Sequence, residues 1–189
     1  MSDTRAYLSL GSNLADRLDY IARAIAAIGA RDANGGAHVT IARVSPVYET
    51  AALGPDGQVA AADPAFLNCA VAVDTDLSAS LLRQRTSAIE RMLGRGTSPR
   101  WSPRVIDIDL VLFGDEQLAT PSLMVPHPRM RERAFVLKPL LDLDPALAPP
   151  GIGPLAPLLP AVAWQSCVLH TTAADLRRLV EAARAPTPA

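Results

Sequence analysis

A chain of 189 residues can bury one sizeable core, and 49% hydrophobic with 20% charged residues is ordinary for a globular domain. A net charge of −1 supplies no basic field of the kind that recruits nucleic acid or anionic lipid. Cys69 and Cys167 lie far apart with no CxxC partner, which argues against a disulfide framework or structural zinc and for a reducing compartment.

The N-terminal MSDTRAYLSLGS lacks the apolar core of a signal peptide, and no apolar run reaches membrane length, so a cytoplasmic protein is expected. Ala6 to Leu10 reads as a buried first strand, broken by Gly11, Ser12 and Asn13. Asn13 is the expected N-cap of a first helix, with Asp16 in its first turn. Leu14, Leu18, Ile21, Ile25 and Ile28 then recur at helical spacing, and Gly29 with the following Asn-Gly-Gly stops the helix. Val39 to Tyr48 alternates as a second strand, with Val39, Ile41 and Arg43 on one side. Thr50 to Pro64 is a long loop of the kind that binds ligands. Phe66 to Val73 is a third strand, and Ser78 caps a second helix running to Leu93. Gly94 to Pro103 is a second polar loop.

Trp101 to Phe113, WSPRVIDIDLVLF, is the most informative stretch. Ile106, Ile108, Leu110 and Leu112 alternate with Asp107, Asp109, Val111 and Phe113, the period of a strand. Asp107 and Asp109 therefore project from one face, with Cα atoms roughly 6.5 Å apart. Two such carboxylates repel each other, and hard divalent cations prefer carboxylate oxygen. Arg100 and Arg104 just upstream offer donors to anionic oxygens. Acids for a metal beside arginines for phosphate point to magnesium–nucleotide chemistry. No GxxxxGK[ST] sequence is present, so the chain is not a P-loop protein.

Met124 to Arg133 is a loop rich in Pro, His and Arg, in which two prolines flank His127 and restrict its backbone. A helix follows over Phe135 to Leu141. Strand, helix, strand, strand, helix, strand is the βαββαβ order of a ferredoxin-like α+β sandwich, an antiparallel sheet with helices packed on it. Residues 1–145 are expected to form that single domain. Residues 146–189 form a proline-rich C-terminal extension packed on it or trailing from it, in which Thr171 or Thr172 caps a short helix ending near Ala183.

Five ordered segments carry a family resemblance: SLGSNL (9–14), SPVYET (45–50), FLNCAV (66–71), WSPRVIDIDLVLFG (101–114) and VPHPRMRERAFVLKPL (125–140). Together, from about Tyr7 to Pro145, they resemble the 6-hydroxymethyl-7,8-dihydropterin pyrophosphokinases, which move an intact pyrophosphate from ATP to a pterin alcohol. The resemblance implies that Asp107 and Asp109 ligate two magnesium ions with the ATP phosphates, and that Asp109 takes the hydroxyl proton. It gives Arg95 and Arg104 catalytic contacts to phosphate, and Arg100, His127 and Arg133 contacts to ATP. It sets Glu90 near the nucleotide, although a helix-surface carboxylate paired with a neighbouring arginine is an equal reading. Phe66 and Phe135 match the two aromatics that stack on pterin, and Asn68 the amide at its edge. Thr50 and Leu53 match loop positions that contact pterin through the backbone, and Trp101 a loop residue that closes over it. Gly11 and Asn13 are expected to shape the first turn instead.

Three positions depart from the family pattern: Ser102 for a smaller residue, Ala51 for a common proline, and Thr97 for a basic residue in a shortened loop. The partners implied are ATP and 6-hydroxymethyl-7,8-dihydropterin, with no nucleic acid, no membrane and a monomeric chain. The competing class is a non-catalytic ferredoxin-like module that binds a small molecule, since fold alone never settles function. A metal-dependent nuclease would share the acid pair but lacks a basic face here.

Overall fold

The computed structural model describes residues 3–32, 34–54, 56–96 and 102–184. The first strand, β1 (Thr4–Ser12), leads to helix α1 (Arg17–Ile28), then to β2 (Val39–Val44), β3 (Val47–Thr50) and β4 (Phe66–Thr75). Helix α2 (Ala79–Met92), β5 (Asp107–Phe113), a small β6–β7 hairpin (Leu118–Ala119, Met124–Val125) and α3 (Ala134–Leu143) follow. Beyond them come a 3-10 segment (Ala156–Val162), β8 (Val168–Thr171) and α4 (Ala173–Arg184). The main sheet runs β5-β1-β4-β3-β8, with β2 also on β4, and its pairings are antiparallel. This is the ferredoxin-like α+β arrangement read from the sequence, with the central pair β1–β4 flanked by β5. No described helix is long and apolar enough to cross a membrane.

Strand alternation sorts the core into two layers. Leu8, Leu10, Cys69, Val71, Val73 and Ile108 face α1 and α2, where Ile21, Ile25, Ile28 and Leu82 are fully buried. Tyr7, Ala70, Ala72 and Val111 face α3, against Leu137 and Leu140. Burying each such leucine or isoleucine contributes about 1.5–3 kcal/mol. Residues after 145 join both layers: Leu155 and Val162 pack with α3, while Leu176 and Val180 of α4 join the α1 side. Thr172 caps α4, its Oγ1 accepting from the Asp175 N–H at 3.2 Å.

Several local readings need correction. Asp16, not Asn13, caps α1, accepting from the Asp19 N–H at 3.1 Å, and Leu14 precedes the helix and is exposed. Asn13 instead ties strand to loops, since its Oδ1 accepts from the Arg104 N–H at 2.7 Å and its Nδ2 donates to the Pro64 carbonyl at 3.2 Å. The second strand is two strands, interrupted at Ser45 and Pro46, because proline has no N–H to continue the ladder. A register shift between Ile41 and Arg43 turns Arg43 away from Ile41, and its guanidinium donates to the Leu143 carbonyl at the end of α3. In β5, Val111 is the extra residue of a bulge opposite Tyr7 and Leu8. The alternation therefore slips, and Leu112 joins the α3 layer while Phe113 joins the other.

Candidate active site

Three neighbouring strands, β5, β1 and β4, build the floor of one cleft. Gly11 of β1 is paired with Asn68 of β4 on one side and Asp107 of β5 on the other. One step along, Ser9 is paired with Ala70 and Asp109. Directly paired residues point to the same face, so Asn68, Gly11 and Asp107 form one row and Ala70, Ser9 and Asp109 the next. These rows continue the layer that α3 covers, at the end where polar and small residues replace its apolar ones. Adjacent strands lie about 4.8 Å apart, so the amide and the carboxylate stand roughly 10 Å from each other across Gly11. A Cβ at Gly11 would lie 2.9 Å from Asn68 Oδ1 and 3.5 Å from Phe66 Cδ1. Gly11 is thus a floor residue, not a turn residue.

The cleft has a volume of about 430 Å³. One half is lined by Thr50, Leu53, Phe66, Asn68 and Phe135, and the other by Arg95, Arg104, Asp107, Asp109, His127 and Arg133. The structure thus brings together eleven of the fourteen catalytic, ATP-binding and pterin-binding residues expected from the sequence. Arg100 and Trp101, together with Thr97, lie outside the described residues. Glu90 does not line the cleft but lies buried behind it. Ser9, Asp63, Arg83 and Arg129 line it without having been singled out, and Gly11 and Asn13, expected only to shape the first turn, line it too.

Asp107 sits between two guanidinium groups, with Arg95 at 2.6 Å and Arg104 at 2.9 Å, one on each carboxylate oxygen. Arg95 also pairs with Glu90, whose Oε1 accepts from the Ile108 N–H at 2.8 Å. Burial pushes the Glu90 carboxyl up, against the opposing pull of that N–H and of Arg95. Burial works to lower the Arg95 guanidinium, but Asp107 and Glu90 outweigh it and raise it. Glu90 is thus paired with an arginine, in the interior rather than at a helix surface.

Burial, and then the neighbouring Asp107 carboxylate, push Asp109 up to about 6. A bound cation would relieve that pressure. Magnesium takes one or two protein carboxylates and completes its shell with water and substrate phosphate. Two carboxylates projecting into a cleft fit this demand, and among the described residues no cluster of three or more potential ligands forms an all-protein cage.

The opposite wall is His127 with Arg133. The bulge at Val111 leaves its carbonyl to accept the His127 backbone N–H at 2.9 Å, which fixes the loop against β5. The Val125–Pro126 peptide is cis. Nδ1 of His127 accepts from the Arg129 N–H at 3.2 Å, so the neutral ring carries its proton on Nε2. Burial, and then Arg133, push the imidazole down to about 4. Arg133 lies over the Phe135 ring at 5.4 Å, and burial and then Arg129 lower its guanidinium. In the other half, Asn68 Nδ2 donates to Thr50 Oγ1 at 2.8 Å. That bond fixes the amide and leaves Oδ1 on the Gly11 side.

A model of the family described as 7,8-dihydro-6-hydroxymethylpterin-pyrophosphokinase (HPPK) matches residues 7–145. A Bacillus subtilis protein named 2-amino-4-hydroxy-6-hydroxymethyldihydropteridine pyrophosphokinase is 43% identical over 138 residues, covering 73% of this chain and 77% of its own length. A Pseudomonas aeruginosa protein of the same name is 40% identical over 161 residues, covering 85% of this chain and 93% of its own. Among solved structures, HPPK-DHPS in complex with substrates superposes with a TM-score of 0.67 at 12% identity, which speaks for the fold. That match covers 85% of this chain but only 43% of the other.

Proposed function

The chain belongs to the 7,8-dihydro-6-hydroxymethylpterin-pyrophosphokinase family, and we propose that the cleft over Gly11 is where its reaction takes place. It transfers pyrophosphate from ATP to 6-hydroxymethyl-7,8-dihydropterin in folate biosynthesis, leaving AMP. The observation that carries the assignment to this cleft is the row Asn68, Gly11, Asp107. It sets a half lined by Phe66, Phe135 and the Asn68 amide beside a carboxylate and arginine half on one floor.

Asp107 and Asp109 are the residues that hold magnesium, and we take the number of ions to be two. When bound with ATP, magnesium neutralises phosphate charge and orients the chain of phosphates. Arg95 and Arg104 now neutralise Asp107. Their forked donors suit phosphate oxygens equally well, so they exchange the carboxylate for the triphosphate as it arrives. Arg133 holds the phosphates from the far wall, and His127 donates its Nε2–H as a neutral group. Phe66 and Phe135 stack on the pterin ring, and Asn68 Oδ1 accepts from its edge. The hydroxymethyl oxygen attacks the β-phosphorus as the bond to the AMP oxygen breaks, and Asp109 takes the hydroxyl proton.

Residues 1–145 carry this chemistry and residues 146–189 support it. We place the chain in the cytoplasm, in keeping with two free cysteines and with ATP as substrate, and take it to act as a monomer. A non-catalytic small-molecule module would have no use for the acid pair and its arginines.

Manganese binding read by electron paramagnetic resonance tests the metal assignment. With an α,β-methylene ATP analogue, wild-type protein should take up two ions per chain, and Asp107→Asn and Asp109→Asn should each lose at least one. Unchanged uptake in both variants would move the metal elsewhere.

A further inference from the structure

Gln165 lies in the segment that follows the family match, which ends at residue 145. Its carboxamide makes two hydrogen bonds to one corner of the cleft. Oε1 accepts from the Ala134 N–H at 2.8 Å, and Nε2 donates to the Glu132 carbonyl at 2.7 Å. Those two backbone groups flank Arg133 and lead directly into Phe135. Ala134 is the first residue of α3, and Arg133 at the cap position makes no side-chain capping bond. The Ala134 N–H has no partner within its own helix. Gln165 meets that need from a distant part of the chain, and its amide matches the donor and acceptor of the corner one for one.

A second contact points the same way. Gln165, Ser166 and Cys167 close a cavity of about 20 Å³ behind Thr50, Leu53 and Phe135, three residues that also line the cleft. So small a space holds no substrate. It is the seam where the extension backs the proposed pterin half. The segment is anchored on both sides, by Val162 in the α3 core and by β8 paired on β3 with Tyr48 opposite Leu169.

We propose that Gln165 is a positioning residue for the pterin site: the C-terminal extension clamps the 132–135 corner, and so fixes the angle at which Phe135 meets the ring. This rests on the reading of Phe135 as a stacking partner. An extension that merely stabilised the fold would alter the melting temperature and leave substrate affinity alone.

The test compares Gln165→Leu, which keeps the size and loses both bonds, with Gln165→Glu, which keeps the acceptor for the Ala134 N–H. Pterin KM, kcat, thermal midpoint and amide hydrogen exchange over residues 132–135 are measured for each. Gln165→Leu should raise pterin KM about tenfold, with kcat within about twofold and faster exchange at the corner. Gln165→Glu should fall between, at about threefold. A folded Gln165→Leu protein with wild-type pterin KM overturns the proposal. If the leucine variant does not fold, the glutamate variant decides, and a wild-type KM there overturns it equally. Wild-type protein that neither binds nor turns over pterin would count against the stacking role of Phe135 and not against the clamp. The clamp is then read by hydrogen exchange alone, and unchanged exchange in Gln165→Leu sinks it.

Discussion

Removing the Glu90 carboxylate should destabilise the protein far more than neutralising it. Glu90 is 4% exposed and accepts from the Ile108 N–H at 2.8 Å, the amide between Asp107 and Asp109. It also pairs with Arg95, and Arg83 approaches to 3.8 Å. Glu90→Ala leaves the Ile108 N–H unpaired in the interior, at about 1–3 kcal/mol, and also leaves a gap. A total near 3 kcal/mol lowers Tm by roughly 10 °C in a chain of this size. Glu90→Gln keeps an oxygen for Ile108 and sheds the cost of a buried charge, the cost that holds the carboxyl above its usual range. It gives up the Arg95 pair, but Arg95 keeps Asp107 at 2.6 Å. The two effects oppose, so glutamine should stay within about 1 kcal/mol of wild type. Urea unfolding with a fixed m-value provides the comparison. Equal losses for the two variants, or an alanine cost under about 1 kcal/mol, would refute the view that the Ile108 hydrogen bond is the main contribution of Glu90.

Gly11→Ala should fold, since the group it meets first is the end of a side chain, but Asn68 must shift. Pterin KM is expected to rise about tenfold with ATP KM little changed, and an unaltered pterin KM would remove Gly11 from the floor. His127 titrates near 4, below the 6.5 of an unfolded histidine. The unfolded chain therefore takes up the proton first, and stability is lost as pH falls from about 6.5 toward 4. His127→Gln should flatten part of that decline in Tm between pH 7 and pH 4.5. His38 is the opposite case: Asp76 first, with help from Asp32, raises its imidazole at the surface. Its contribution is present below 6.5 and is lost as pH rises through the raised value, so His38→Gln should lower Tm at pH 5.5 but not at pH 9.

The acid strand was legible because strand alternation is local: Asp107 and Asp109 share a face wherever β5 pairs. The two helices could be read for the same reason, from apolar spacing with Ser78 and Gly29 at their ends. What could not be read depends on register between distant strands. Gly11 becomes a floor residue only because β1 is set between Asn68 and Asp107, and nothing near Gly11 encodes that pairing. Bulges hide equally well. Val111 and the shift before Arg43 each reverse an alternation that looks unbroken in the sequence. Asn13 had the right chemistry for a cap, but its amide bridges Arg104 and Pro64 while Asp16 caps the helix. Glu90 carried a sequence signal, yet its burial and its bond to Ile108 follow from α2 packing on β5. Gln165 carried none, since a glutamine in a proline-rich tail gives no hint of a helix start thirty-one residues earlier in the chain.

Product analysis decides whether this chain transfers pyrophosphate through the Asp107–Asp109 cleft. Protein is incubated with magnesium, ATP and 6-hydroxymethyl-7,8-dihydropterin, beside an Asp107→Ala, Asp109→Ala double variant shown to be folded. One AMP and one pterin pyrophosphate per ATP from wild type, and neither from the variant, is the predicted result. ADP as product, or full activity in the double variant, would contradict the account.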